Sequence, residues 1–547
     1  MNRVCILGKP GEQTLADCIF VKQLADAPPE ITTFLTPGPS GRLDRQSGEY
    51  AALAVWGGKS PLVLPDGSAA SSRADLLAGI EPAARTSAPA LPACGPWRAL
   101  VRHLENAQLI SREGWLSRPL TMAGRLIPLR WKERVNRALG WEFFNLTFYL
   151  RFQPNSVALP ARPDHLSYLP RRNNSRRRVA LITPHLGPGG AERVLRDIAS
   201  ALDRSKFEIL LIAGDRENHS EMRGWKQGVD YIYNLPALVV PEKLSSAVYS
   251  VVANWKPDTV LIQNSLVAYA VTPYLRKQLP ELRLLDLVHS VDADWNILAA
   301  TQSIAGCLDL RVAVSETVRR RIAALGPAST RTCVVHAGVD MGRFSGISPV
   351  RDARPFRILF AGRLDPVKRP MMLVRIAAAL RLRRAAADFR FAVAGEGPEA
   401  HALSARVARD GLRELFEFHG HVPDIAPLLA ESDLLLLPSR AEGLPLVILE
   451  AFAASRPVVA GSVGAIPELV NEQTGVLVAL NSGEIDAFAE AIDGLLRSPE
   501  RRRAMGENGR RTVAANYTLE AARRSYRDLF EPGSSDPAGE AESVKFS

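Results

Sequence analysis

Two back-to-back series of short apolar runs, alternating with helix-period segments, constrain this chain more than any other feature. The first series opens abruptly at Val179 with VALITP. It continues through Phe207 to Ala213, Thr259 to Ile262, Leu284 to His289, Arg311 to Val314 and Cys333 to His336. The second runs through Arg357 to Phe360, Phe389 to Ala394, Leu415 to Phe418, Asp433 to Leu437, Pro457 to Ala460 and Gly475 to Val478. Helices are expected near Met372–Leu382, Val447–Ala454, Ile485–Leu496 and Leu519–Phe530. Apolar runs without polar alternation suit strands covered on both faces, and strands that alternate with helices build parallel sheets. The expectation is α/β: two Rossmann-like, doubly wound parallel-sheet domains facing a cleft, over residues 179–350 and 351–531. The polar segment from Ser348 to Arg354 divides them.

The rest of the chain reads differently. Residues 1–178 form an N-terminal extension: a small α/β or β unit to residue 66, an Ala/Ser/Pro-rich linker over 67–97, then a basic, aromatic segment. In that segment Arg125, Arg130, Lys132, Arg134 and Arg137 precede Trp141, Phe143, Phe144, Phe148 and Tyr149. Such a composition suits a helix on an anionic membrane surface, or one that packs its aromatics on the next domain. The cluster Arg171, Arg172, Arg176, Arg177 and Arg178 reads as a solvated linker, and residues 532–547 as a disordered tail.

A chain of 547 residues is too long for one core. Its formal charge of +10 favours an anionic partner without choosing among headgroups, nucleic acid and nucleotide phosphates. No nucleic-acid motif accompanies the charge, and no nucleic-acid partner is expected. No apolar run could span a bilayer, and the N-terminal MNRVCILGKPGEQ has too short an apolar core for a signal peptide. Five scattered cysteines (Cys5, Cys18, Cys94, Cys307, Cys333) lack metal-ligand spacing and fit a reducing cytoplasm.

The chemistry concentrates in Pro438 to Glu450, PSRAEGLPLVILE. Asp433 to Leu437 ends as a buried strand at Pro438, and Pro445 is placed as the first residue of a helix with the stripe Val447, Ile448, Ala451, Phe452. The elbow between them lies at the carboxyl end of a strand, where open α/β sheets bind ligands. Amides at the following helix start suit an anion, and Gly443 lets the main chain come close to it. Glu442 and Glu450 would repel a phosphate and are assigned to neutral hydroxyls instead. Amides for phosphate beside carboxylates for hydroxyls suit a nucleotide sugar.

Three further loops follow strands. Arg363 and Lys368, in AGRLDPVK, put two cations where a diphosphate could use them. Gly187 to Gly190 fails both G-x-G-x-x-G and the P-loop, leaving a turn at a helix start that can approach a phosphate or an acceptor hydroxyl. Gly395 to Ala400 satisfies G-x-G-x-x-A after a strand, a weak signal for NAD and the basis of a rival reading as an oxidoreductase. Pro398 and Glu396 place bulk and charge where a pyrophosphate would lie. A non-catalytic scaffold that keeps the fold and a nucleic-acid binder that rests on charge alone are two more rival readings.

Pro438, Ser439, Glu442, Gly443, Pro445, Glu450 and Ala451 together resemble the E-x7-E signature of retaining glycosyltransferases with the GT-B fold, in glycosyltransferase family 4. Gly189 to Arg193 is similar to that family's N-terminal loop, and Arg363 with Lys368 to its G-R-L…K element. His289 stands at a strand end matching a family histidine, and Ser315 and Glu316 also match. Two departures stand out: Arg369 occupies a position usually given to glycine, and Ala337-Gly338-Val339-Asp340 replaces the usual N-G-V-D.

The resemblance implies a nucleoside-diphosphate sugar (UDP- or GDP-linked) as co-substrate with no cofactor, and transfer to a glycan or lipid-linked acceptor in cell-surface polysaccharide, lipopolysaccharide or glycolipid synthesis. His289, Glu442, Arg363 and Lys368 would be catalytic. Gly190, Arg363, Lys368, Gly395, Val422, Glu442, Gly443, Leu444, Pro445 and Glu450 would bind the donor. Asp292-Ala293-Asp294 mimics a metal motif of a different glycosyltransferase architecture, and no metal is expected. Cytoplasmic placement, with peripheral association at the inner face of the plasma membrane as an option, completes the expectation.

Overall fold

The computed structural model describes residues 175–531 apart from 216–221, 226–227, 238–243, 291–294, 326–329, 349–353 and 384–387, and five short strands before residue 71. Three of these, β1 (Arg3–Ile6), β2 (Ile31–Pro37) and β3 (Tyr50–Gly57), form a sheet, and β4 (Leu62–Val63) pairs with β5 (Ala69–Ala70). The expected linker contains β5 at Ala69–Ala70, and its remainder after residue 70, the basic–aromatic segment, the C-terminal tail and Asp292-Ala293-Asp294 lie outside the described residues.

The first alternating series builds a seven-stranded sheet. Its strands are β6 (Arg177–Thr183), β7 (Phe207–Ala213), β8 (Tyr231–Asn234), β9 (Thr259–Gln263), β10 (Arg283–Val288), β11 (Leu310–Ala313) and β12 (Thr332–Val334). Their order is β12-β11-β10-β9-β6-β7-β8, so the winding reverses between β6 and β9. β6 pairs in parallel with both β7 and β9. The edge strand β8 is not among the expected ones: YIYN is too short to display a period.

The second series builds a six-stranded parallel sheet of β13 (Phe356–Ala361), β14 (Phe389–Ala394), β15 (Phe416–Gly420), β16 (Leu434–Leu437), β17 (Val458–Gly461) and β18 (Gly475–Val478). The order β15-β14-β13-β16-β17-β18 again reverses beside its first strand, here between β13 and β16. Ile358, Phe360, Leu434 and Leu436 are fully buried on one face, with Leu359, Leu435 and Leu437 on the other. Apolar residues on both sides of these strands reflect helix layers on both faces of the sheet.

Three expectations change. Arg176 to Arg178 are not a solvated linker: β6 begins at Arg177, and Arg178 is buried. The Arg178 guanidinium donates to Glu208 (2.7 Å) and to the Trp255 carbonyl (2.5 Å) and lies over the Trp255 ring, while Arg176 donates to Asp230. Burying a charge without a partner is prohibitive, and Glu208 on the neighbouring strand supplies one.

The helix Pro499–Asn516 has little apolar periodicity and is absent from the expected helices. Its glycines account for it: a Cβ at Gly506 would lie 2.1 Å from the Ser455 carbonyl oxygen, and one at Gly509 2.5 Å from the Phe452 ring. Close approach to the helix Leu446–Ala453 replaces an apolar stripe. Pro445, finally, is the N-cap of that helix, and the helix itself starts at Leu446.

The chain divides into two compact units. One takes in the described residues up to Leu287 with Trp295–Arg311 and Gly326–Arg331. The other takes in Val288–Asp294, Val312–Leu325 and the described residues from Thr332 onward. His289 therefore belongs with the second unit.

Candidate active site

The winding of the second sheet reverses between β13 and β16, and the loops at the carboxyl ends of these strands are the two that carry the cations and the elbow. A reversal of this kind opens a crevice beyond the strand ends. The loop after β13 is shaped by Asp365, which is buried. Its carboxylate accepts the amides of Val367 and Lys368, both at 3.0 Å, and the Arg363 Nε at 2.5 Å. This orients the turn with the Arg363 side chain 67% exposed toward solvent.

Lys368 points the other way. Its Nζ donates to both carboxylate oxygens of Glu442, at 2.6 and 2.7 Å, across 74 residues of sequence. Glu442 is buried and Lys368 about three-quarters so, which keeps water from screening the pair. The backbone closes the same gap, since the Arg440 amide donates to the Val367 carbonyl at 2.8 Å. Two residues expected to serve different parts of a ligand thus hold each other.

The elbow is fixed from two more sides. A Cβ on Gly443 would sit 1.5 Å from the His289 carbonyl oxygen, so this position accepts no side chain. Gly464, at φ +52°, brings its backbone against the Glu442 carbonyl, which also accepts the Ala465 amide at 3.3 Å. Sequence reasoning misses Gly464, although a glycine shortly after an expected strand end is the available signal. His289 is partly buried, and the protein around it excludes enough water to pull its pKa down to about 4. The ring is neutral at ordinary pH, a state that exchanges hydrogen bonds with hydroxyls.

Glu450 lies in the second turn of the helix Leu446–Ala453 and is buried. Arg343 approaches it at 3.8 Å while donating to Asp424 at 2.6 Å. Sequence reasoning misses Arg343 as well, since nothing in the sequence connects the segment after Asp340 with this helix. Val422 and Leu444 are partly buried against the core beneath.

Gly395 is in place but in another role from the one that dinucleotide binding requires. A Cβ on Gly395 would lie 1.9 Å from the Gly362 carbonyl oxygen, and one on Gly397 2.4 Å from that of Leu364. Both glycines admit the chain's own cation loop, so close backbone packing accounts for them without a bound dinucleotide.

Gly190 belongs to the first unit, where it opens the helix Gly190–Ala201. The loop before it is closed on itself. His185 Nδ1 accepts the Gly187 amide at 3.0 Å, and His185 Nε2 lies 3.7 Å from Glu192. One Glu192 carboxylate oxygen lies 2.0 Å from where a Gly189 Cβ would be. Among the described residues no cluster of histidine, cysteine, aspartate and glutamate is arranged to hold a metal ion.

Comparison with known proteins identifies both halves. The chain matches the family model for glycosyltransferase family 4 over residues 188–343 and that for glycosyl transferases group 1 over residues 355–498. It is 26% identical, over 63% of its length and 95% of the relative's, to a GDP-mannose-dependent monoacylated alpha-(1-6)-phosphatidylinositol monomannoside mannosyltransferase of Corynebacterium glutamicum. It is 28% identical, over 62% of its length and 94% of the relative's, to a GDP-mannose-dependent alpha-(1-6)-phosphatidylinositol monomannoside mannosyltransferase of Mycolicibacterium smegmatis. Among solved structures, Anabaena HepE in complex with UDP-glucose superposes with a TM-score of 0.55 at 22% identity, covering 64% of this chain and 99% of that one.

Proposed function

Because the chain belongs to glycosyltransferase family 4 and has the two Rossmann-like domains of the GT-B fold, we propose that it is a metal-independent, retaining transferase that moves a hexose from a nucleoside-diphosphate sugar to an acceptor hydroxyl. The observation that carries the reading is the Lys368–Glu442 pair at the point where the second sheet reverses. An ammonium and a buried carboxylate 2.7 Å apart support a site that would take a phosphate and a sugar hydroxyl side by side.

Arg363 and Lys368 would hold the diphosphate and stabilise the charge that grows on it as the anomeric bond breaks. Glu442 and neutral His289 would bind hydroxyls of the transferred sugar, and Glu450, Val422 and Leu444 the nucleoside. The acceptor oxygen bonds to the anomeric carbon on the face the diphosphate leaves, and its proton passes to the departing phosphate oxygen. Transfer then needs positioning and charge rather than a covalent nucleophile.

The names of two relatives support GDP-mannose as the first donor to try and a lipid-linked acceptor. No described helix is long and apolar enough to cross a membrane. On this reading the enzyme works at the inner membrane face in surface-glycan or glycolipid synthesis. A melting-temperature panel with GDP-mannose, UDP-glucose, GDP, UDP and NAD, followed by turnover of whichever sugar nucleotide binds, tests the reading. A rise of several degrees with one sugar nucleotide is expected, and a rise with NAD alone overturns it.

A further inference from the structure

Arg369 adopts a left-handed backbone, at φ +54°, immediately before Pro370. A side-chain-bearing residue disfavours that conformation, and a following proline restricts it further. Such a conformer persists where its surroundings over-determine it. Here they do so through a guanidinium that is 13% exposed. Both of its Nη groups donate to Glu484, one of them at 3.1 Å, and Nη1 also donates to the Pro438 carbonyl at 3.3 Å. Glu484 opens the helix Glu484–Arg497 and is equally buried. One planar fork therefore joins three strand ends: the loop after β13, the elbow after β16 and the segment after β18.

We propose that Arg369 is a positioning residue that sets Lys368 toward Glu442. The turn from Asp365 to Arg369 is a single piece, with the Asp365 carbonyl accepting the amides of Lys368 and Arg369, each at 3.1 Å. Asp365 anchors its front and Arg369 its back. Lys368, between the two anchors, carries the ammonium on a flexible stem, which reaches Glu442 bidentately because the turn beneath it does not shift. Glycine at 369 would keep the left-handed turn without strain but could not tie it to Glu484 and Pro438. A lysine there would keep the charge but lacks the fork that spans both acceptors. The inference takes from the donor reading the purpose of Lys368, while the geometry it asserts rests on contacts within the chain.

The test therefore has two arms. The rate of reductive methylation at Lys368, followed by mass spectrometry of the full chain, is compared among wild type, Arg369→Gly and Glu484→Gln. Labelling at Lys368 should rise about fivefold or more in Arg369→Gly and in the same direction in Glu484→Gln, while other lysines label as before. Unchanged labelling at Lys368 in a folded variant overturns the proposal. If Arg369→Gly does not fold, Glu484→Gln alone decides. In the second arm, GDP and UDP affinities are measured calorimetrically for wild type, Arg369→Gly, Lys368→Ala and the double variant. Weaker binding in Arg369→Gly that disappears in the Lys368→Ala background assigns the effect to Lys368, whereas an equal loss in both backgrounds overturns it. Faster labelling combined with no nucleotide binding by wild type would leave Arg369 as the positioner and remove the donor reading.

Discussion

The loop after β6 and the loop after β13 occupy the same place in two sheets of the same winding, yet they carry opposite charge. The first wraps His185 and three glycines around its own carboxylate, Glu192. The second offers an exposed guanidinium and a paired ammonium. Sheet topology is the same in both, and on the donor reading side-chain charge would decide which ligand each loop takes. An acidic, glycine-rich turn suits neutral hydroxyls of an acceptor, and a cationic one suits a diphosphate.

That division of labour is most exposed at the elbow beside the cationic loop. Gly443→Ala drives a Cβ into the His289 carbonyl, an overlap that no rotamer relieves. A loss of roughly 1–3 kcal/mol in stability is expected from overpacking. Misplacing the site should also cost about a hundredfold or more in turnover. Denaturation midpoints and steady-state rates check both, and a variant with wild-type rate would show that the elbow is not the site.

Exchanging charge in each loop separates the two directly. Lys368→Ala should lower kcat/KM for the sugar nucleotide about a hundredfold, or some 2.7 kcal/mol. Glu192→Gln should leave nucleoside-diphosphate affinity within about twofold, because its carboxylate sits in the first turn of the helix Gly190–Ala201, in the other unit from Arg363 and Lys368. Titration calorimetry of the two variants side by side decides, and equal losses would dissolve the distinction.

A gentler effect concerns pH. The folded protein holds His289 neutral down to about pH 4, while the unfolded chain protonates near the ordinary 6.5. Between these values the unfolded state binds the extra proton, so stability rises with pH through the window and falls as pH drops through it. A shift of this size corresponds to about 3 kcal/mol at most. Melting temperatures from pH 4 to 7 should therefore slope less steeply in His289→Gln than in wild type. Parallel slopes would mean that the ring is hydrated.

Legibility in the sequence depends on where the information lies. The strand positions are readable because two-sided burial writes itself as unbroken apolar runs, as in Leu434 to Leu437. The helix Pro499–Asn516 is not, since glycines that permit close packing look like helix breakers until the neighbouring helix is in place. Arg178 looks solvated in the sequence because Glu208, its partner, lies 30 residues on. For the candidate site, Arg363, Lys368, Glu442, His289 and Glu450 are expected from motifs, and the structure shows their local contacts. That Lys368 grips Glu442, and that Arg369 trades strain for a fork on Glu484, depends on contacts between distant strand ends that no local pattern encodes.

The Lys368–Glu442 pair also bears on how a catalytic cycle would end. On the donor reading, an incoming sugar nucleotide replaces both partners at once: its phosphate takes the ammonium and its sugar hydroxyl takes the carboxylate. After transfer, the spent nucleotide still engages Lys368 but leaves Glu442 buried with nothing to receive. The carboxylate then competes for its old partner, and the re-forming ion pair helps to eject the product. On that reading, one ion pair between two strand ends would serve both to seat the donor and to favour product release.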